Sequence, residues 1–320
     1  MALHSFTSAT HLGSRGGGDL PDDFRRMAAA SGGGRHPGPV KTTQCTGLKG
    51  KLMVSRMAEN YHVLSLEQTF ATLPPAVKET NLAVEIQTLE GLPVLVILDD
   101  DPTGTQTCHG INVLTVWDEE TLVVQFKTCK RGFFILTNSR ALPTPQAREL
   151  IFRICTAVKD AAALVGKCFE IVLRGDSTLR GHFPDEVEVA EQVVGPADAW
   201  ILAPFFRQGG RLTINDVHYV LDADKNLVPA AQTSFAKDAT FGYKNSNLAD
   251  YVVEKSNGSI TRQQVKSISL DDIRRGGPSA VADRLISFGK GCIIIVNAVV
   301  DTDMEIFVQG LIEGMQISTT

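Results

Sequence analysis

The ten residues Leu95-Val-Ile-Leu-Asp-Asp-Asp-Pro-Thr-Gly104 carry an unbroken apolar stretch straight into three adjacent carboxylates and a turn. With Pro93 and Val94 ahead of them, they predict a short strand buried on both faces, because a half-exposed strand would alternate apolar and polar residues. Ligands of open α/β sheets gather at the carboxyl ends of such strands. Three carboxylates crowded at that place repel one another, so the arrangement is costly unless a cation, hydrogen bonds or a ligand offsets it. The end of a buried strand therefore favours a functional site over a solvated acidic turn.

Working outward from this stretch, strand-like and helix-like segments alternate. Strands are expected at 94–98, 111–116, 132–137, 168–173, 199–203 and 291–296. The clearest helix is 145–165, with Thr144 as N-cap, Pro145 in the first helical position, and Ala147, Leu150, Ile151, Ile154, Val158 and Ala161 on one apolar face. This alternation predicts a three-layer α/β/α fold with a largely parallel sheet. Residues 209–243 break the pattern with short β-prone pieces and turn residues, a small β-rich excursion of antiparallel strands. A helix is expected over 301–315, after the last strand. Upstream, Ser65-Leu-Glu-Gln68 has the capping-box pattern and falls in a helical lead-in over 57–92. The main domain spans 93–320.

Residues 1–56 read differently. They hold two Gly-Gly-Gly runs and eight Lys/Arg against three Asp, with no sustained apolar periodicity, and are expected to form a disordered basic extension. The whole chain of 320 residues has a net charge of -5, so the remainder carries -10. So acidic a body argues against nucleic-acid binding through a general basic face. No apolar run approaches the roughly 20 residues that span a bilayer, and no membrane partner is expected. The six cysteines, at 45, 108, 129, 155, 168 and 292, include no Cys-x-x-Cys pair, which points away from structural zinc and towards a reducing, cytoplasmic setting.

Three further motifs follow predicted strands. Arg174-Gly-Asp-Ser-Thr-Leu-Arg-Gly-His182 packs two Arg, one Asp, two hydroxyls, a His and two Gly into nine residues. Arg can hold a carboxylate or phosphate through two parallel hydrogen bonds, and Gly lets backbone approach a ligand. Ser177 and Thr178 are candidates to read sugar hydroxyls, and His182 to donate or accept a hydrogen bond. Thr137-Asn-Ser-Arg140 is the next, and Ala203-Pro-Phe-Phe-Arg-Gln-Gly-Gly-Arg-Leu-Thr213 offers Arg207 and Arg211 as an anion clamp. Three strand ends of one sheet should face one crevice. Neither Gly-x-x-x-x-Gly-Lys-Ser/Thr nor a Gly-x-Gly-x-x-Gly after a strand occurs, so no nucleotide site is evident.

Asp99-x-Asp101-x-Thr103 resembles the first motif of haloacid-dehalogenase-like phosphohydrolases, magnesium-dependent enzymes with an aspartate nucleophile. Phe134-Ile-Leu-Thr137 resembles their second motif, but Gly175-Asp176 lacks the acidic pair of their last. A broader resemblance runs through Asp100-Asp-Pro-Thr-Gly104, Arg174–His182, Ala203-Pro-Phe-Phe206, Gly210-Arg-Leu-Thr213 and Asp238–Leu248. In this order these motifs resemble the sugar-binding N-terminal domain of the four-carbon acid sugar kinases.

That resemblance implies ATP- and magnesium-dependent phosphorylation of the terminal hydroxyl of a threonate- or erythronate-type acid. It makes Arg174 and Arg180 candidates for the acid's carboxylate, and either Asp100 or Asp101 the catalytic base or hydroxyl-orienting group. Thr103, Gly104, Ser139, Arg140, Asp176, Ser177, Thr178, His182 and Arg211 complete the expected substrate-binding set; no metal-ligand set is expected. In that family a C-terminal domain supplies the nucleotide site, and no Gly-rich phosphate-binding segment follows Gly310–Thr320. The expectation is therefore a sugar-acid-binding domain, inactive alone, that works as a homo-oligomer or with a separate nucleotide-binding domain. A non-catalytic sugar-acid-binding module would present the same pocket.

Overall fold

The computed structural model describes residues Ala2–His4 and 61–318. Along the chain these form β1 (Ala2–His4), β2 (Leu64–Ser65), α1 (Leu66–Thr72), α2 (Leu82–Thr88), β3 (Val94–Asp99), β4 (Val113–Leu114), α3 (Glu119–Thr128), β5 (Gly132–Leu136), α4 (Thr144–Val165) and β6 (Phe169–Arg174). There follow α5 (Asp185–Val194), β7 (Ala199–Leu202), β8 (Arg211–Ile214), β9 (Val217–Leu221), β10 (Asn226–Pro229), α6 (Leu248–Lys255), β11 (Val265–Ile268), α7 (Gly277–Phe288), β12 (Cys292–Val296) and α8 (Asp301–Ser318). The main sheet has the order β11-β12-β7-β1-β6-β3-β5-β4. All its pairings are parallel except those of β1, which lies antiparallel between β6 and β7.

The register shows why the sheet has two covered faces. Val96 stands beside Phe133 and Ile171, and Leu98 beside Ile135 and Leu173. These side chains share one face and pack against α3, α4 and α5. On the same face, Leu202 and Ile295 meet Tyr251 and Val252 of α6. Ile201, Ile294 and Val296 point the other way, into a core with Val281 of α7 and Ile306 and Phe307 of α8. Helices on both faces explain why the strands read as continuous apolar runs. The face of α4 buries Ala147, Ile151, Ile154, Cys155, Val158, Ala161 and Ala162. Truncating one of its fully buried isoleucines to Ala would cost about 2–5 kcal/mol.

The expected antiparallel excursion is present as β8, β9 and β10, joined at its edge by β2. Ser65 caps α1 through Gln68 N, at 3.5 Å. Other expectations need correction. Thr144 is the first helical residue, not the cap; Pro143 takes the cap position without a side-chain bond. The Thr144 hydroxyl instead lies 3.3 Å from His182 Nδ1. The strand expected over 111–116 pairs only at Val113 and Leu114, while β11 was not foreseen, its Val-Lys-Ser-Ile being too short to show a period. The extension expected over 1–56 lies outside the described residues, apart from Ala2–His4, which form β1. No described helix is long and apolar enough to cross a membrane.

Candidate functional site

Parallel pairing of β3 with β5 and β6 brings three strand ends side by side, with Asp99 opposite Leu136 and Arg174. The chain beyond each strand is knitted to its neighbours. Asp99 carbonyl accepts from Thr137 N (2.9 Å) and Asn138 N (3.3 Å), and Asp100 N donates to Arg174 carbonyl (3.2 Å). Asn138 takes a left-handed conformation, φ 51°, one that Asn tolerates better than most residues. It turns the chain into the short 3-10 segment Ser139–Ala141, which carries Arg140 back over the aspartates.

Each aspartate has its own partner. Arg140 holds Asp100 bidentately, Nε to Oδ2 at 2.9 Å and Nη2 to Oδ1 at 2.5 Å, and reaches Asp101 Oδ2 with Nη1 at 3.1 Å. Arg174 Nη1 lies 3.3 Å from Asp99 Oδ1, while the buried Asp99 Oδ2 has no hydrogen-bond partner. Burial pushes the Asp99 carboxyl up to about 6, against the pull of Arg174. Burial also raises that of Asp100, with Arg140 opposing it. Asp101 sits on the exposed side, and the Thr103 hydroxyl and amide that donate to its Oδ1 hold it below the usual carboxylate range. Thr103 thus shapes the turn. Gly104 packs against the Asp99 carboxylate and the Arg174 guanidinium, where any Cβ would collide with both. The repulsion inferred from the sequence is offset by two arginines of the chain itself.

The Arg174–His182 loop is tied down from outside. Ser177, Thr178 and Leu179 carbonyls accept hydrogen bonds from His218 Nε2 (2.8 Å), Tyr243 Oη (2.8 Å) and Tyr251 Oη (3.0 Å). Leu179 is held at φ 67° with its side chain buried. Such a strained conformation persists only when the surroundings enforce it, and the two tyrosines do so here. Burial depresses His218 to about 4, so it is neutral and donates through Nε2 while Nδ1 faces the Thr213 hydroxyl at 3.0 Å. Sequence reasoning missed His218, Tyr243 and Tyr251. No signal marked His218, whereas Tyr243 lies inside the Asp238–Leu248 resemblance.

Within the loop, Asp176 accepts from Thr178 N (3.1 Å), the Thr178 hydroxyl and Arg180 Nε (2.6 Å). Burial works against its charge, but these hydrogen bonds win and its pKa is lowered. The Thr178 hydroxyl is buried against Asp176, while Ser177 stays half-buried. His182 is buried between the Ser139 carbonyl (Nε2, 3.1 Å) and the Thr144 hydroxyl, its ring edge-on to Phe241. It joins the two loops, with Ser139 buried beneath it.

The anion clamp foreseen from Arg207 and Arg211 does not form. Arg207 faces away and pairs with exposed Asp301 at 3.0 Å. Arg211 joins Arg180 instead, their guanidinium carbons 5.5 and 5.1 Å from the centroid of the Phe235 ring. Arg211 Nε is enclosed without a hydrogen-bond partner. Behind the loop lies a cavity of ≈ 70 Å³ bordered by Asp100, Asp176, Arg180, His182 and Glu186.

The fold and this site define an α/β domain with a small crevice at the strand ends, bordered by Asp100, Asp176, Arg180, His182 and Glu186. The chain belongs to the family described as the sugar-binding N-terminal domain, whose model matches residues 95–319, and its curated relatives are four-carbon acid sugar kinases. It is similar to the D-threonate kinase of Salmonella typhimurium, 29% identical over 225 residues that make up 68% of this chain and 49% of that protein. It is similar too to the D-erythronate kinase of Heliobacterium modesticaldum, 28% identical over 179 residues, 55% of this chain and 37% of that protein. The chain thus spans half the length of these curated relatives or less. Among solved structures, a domain of unknown function from Bordetella bronchiseptica, a domain-swapped dimer with bound citrate, has a TM-score of 0.52 at 22% identity, over 69% of this chain and 52% of that one. A Haemophilus influenzae protein gives a TM-score of 0.50 at 15% identity, over 70% and 55% of the two chains. These likenesses establish the fold.

Proposed function

We propose that this domain binds a four-carbon sugar acid of the threonate or erythronate type and presents its terminal hydroxyl for phosphorylation by ATP. The observation that carries this reading is the meeting of the Arg174–His182 loop with Asp100 around one crevice, where Arg180 shares the Phe235 ring with Arg211. Arg140, Arg174 and Arg180 each neutralise a carboxylate of the chain itself. Arg211 has an enclosed, unmatched N–H and no such partner among the described residues, which makes it the seat for the ligand's carboxylate, with Arg180 beside it. The hydroxyl end then faces the aspartates. Phosphoryl transfer passes through a loose transition state in which positioning and charge stabilisation dominate. A carboxylate that orients the hydroxyl is therefore enough, and Asp100 or Asp101 fills that role.

Magnesium does not fit the aspartates as folded. Asp99 and Asp100 each face a guanidinium, and no group of three or more His, Cys, Asp or Glu side chains among the described residues is arranged to hold a metal. The same pairing weighs against the phosphatase reading, which needs a metal beside its aspartate nucleophile. We assign the nucleotide and its metal to a separate nucleotide-binding domain, acting with this one in the cytoplasm.

Calorimetry on the chain tests the reading. Threonate or erythronate should bind the wild type and lose at least tenfold in affinity with Arg211→Gln, while ATP alone binds weakly or not at all. No binding of any four-carbon acid would overturn it. Phosphorylation of the acid after a separate nucleotide-binding domain is added would distinguish a kinase domain from a binding module without chemistry.

A further inference from the structure

Glu186 was not among the residues singled out in the sequence. It lies in the first turn of α5, its amide donating to the His182 carbonyl at 3.0 Å, and its side chain borders the cavity behind the Arg174–His182 loop. The other polar side chains there are already held. Asp100 is gripped by Arg140, Asp176 by Thr178 and Arg180, and His182 by the Ser139 carbonyl and the Thr144 hydroxyl. The Ser139 side chain hydrogen-bonds the Glu186 carboxyl, yet Glu186 Oε1 is enclosed and has no hydrogen-bond partner. A buried polar atom left without a partner costs about 1–3 kcal/mol, so such atoms in native folds call for an explanation.

We propose that Glu186 is a substrate-contacting residue of the sugar-acid site, hydrogen-bonding a secondary hydroxyl of the bound acid from the cavity wall. This rests on the reading of the crevice as a sugar-acid site. A carboxylate in this place would repel an anionic ligand, but burial, with the nearby charge of Asp100 adding to it, pushes the Glu186 carboxyl up to about 7. The protonated group offers one O–H donor and further acceptor capacity, matching a hydroxyl, which itself both donates and accepts. Glu186 would thus select for hydroxylated acids over their deoxy counterparts. A site built to hydrogen-bond a hydroxyl rejects the analogue that lacks it, because its own polar group is then left unpaired.

The experiment measures affinities of the full chain for a four-carbon sugar acid and for its 2-deoxy and 3-deoxy analogues. Wild type, Glu186→Ala and Glu186→Gln are compared, with thermal melting confirming that each is folded. Wild type should bind the parent acid at least about tenfold more tightly than one of the two deoxy analogues, a difference of about 1.4 kcal/mol. In Glu186→Ala that preference should collapse to within about twofold, with the parent acid weakened and the deoxy analogue nearly unaffected. Glu186→Gln, which keeps the shape and a donor, should retain most of the preference and serves as the folded control. An undiminished preference for the parent acid in Glu186→Ala, with wild-type binding intact, would overturn the role of Glu186 alone. Wild type that binds none of these acids would overturn the sugar-acid reading, and Glu186 with it.

Discussion

Arg140 grips the carboxylate of Asp100 through two hydrogen bonds, from Nε at 2.9 Å and Nη2 at 2.5 Å, and both side chains are largely withdrawn from solvent. The planar guanidinium fork is what makes this geometry available. Lys at the same place supplies one point charge and cannot reproduce it. Arg140→Lys is expected to lower sugar-acid affinity at least tenfold, and Arg140→Ala to cost about 3 kcal/mol of stability by leaving Asp100 unpaired. Calorimetry and denaturant unfolding read the two effects; an Ala variant as stable as wild type would show that Asp100 does not depend on this pair.

Gly104 and Gly175 offer a contrast between two glycines of the site. A Cβ on Gly104 would collide with Asp99 and Arg174, whereas on Gly175 its nearest neighbour would be Asp100 Oδ2 at 3.7 Å, an ordinary contact. Gly104→Ala should cost about 1–3 kcal/mol through overpacking, and Gly175→Ala under about 1 kcal/mol. Equal melting temperatures for the two variants would contradict the close approach.

The pH dependence of stability should expose Glu186. Its carboxyl titrates near 7 in the fold and at the ordinary 4.5 when the chain is unfolded, with burial the main cause. Between these values the folded state keeps a proton that the unfolded state releases. The contribution is therefore complete below the lower value and is lost as pH rises through the upper one. The Ser139 hydrogen bond and the Arg140 guanidinium lower its pKa, while the Asp100 and Asp185 carboxylates raise it. Gln has no proton to lose, so Glu186→Gln should gain in melting temperature relative to wild type between about pH 5 and about pH 8. A difference that stays constant across that range would refute the shifted carboxyl.

Arg207 and Arg211 are neighbours in sequence with opposite expectations. Arg207→Ala removes one exposed ion pair, with Asp301, and should change stability by no more than about 1 kcal/mol and acid binding hardly at all. Arg211→Gln should weaken acid binding at least tenfold. Equal affinities in the two variants would move the carboxylate seat elsewhere.

Away from the site, Arg274 and Asp303 form an ion pair whose side chains are 3% and 0% exposed, with contacts of 2.7 and 2.9 Å. Asp303 also accepts from the amides of Val299 (2.9 Å) and Val300 (3.0 Å), and Arg274 Nη1 donates to the Pro74 carbonyl at 2.6 Å. Asp303→Ala leaves a buried guanidinium unpaired and should cost about 3–5 kcal/mol, measured by denaturant unfolding. A loss below about 1 kcal/mol would mean that the pair opens readily to water.

The central strands, the long helix α4, the antiparallel excursion and the placing of polar motifs at strand ends were all legible in the residues alone. Each is written in local periods and turn residues, which a contiguous segment carries whole. The sequence also carried the resemblance through Arg174–His182, since nine adjacent residues of unusual composition are specific on their own. Which side chains meet depends on how the elements pack. Asp99 faces Arg174 because β3 and β6 pair in that register, and Arg140 reaches Asp100 because Asn138 turns the chain back. The carbonyls of the loop are held by His218, Tyr243 and Tyr251, which follow it by dozens of residues. Arg207 and Arg211, four residues apart, diverge, while Arg180 and Arg211 converge on Phe235. Hydrogen bonds and ion pairs act over a few ångströms of space whatever the separation along the chain, so partners, burial and the resulting charge of Glu186 exist only once the sheet has brought its strand ends together.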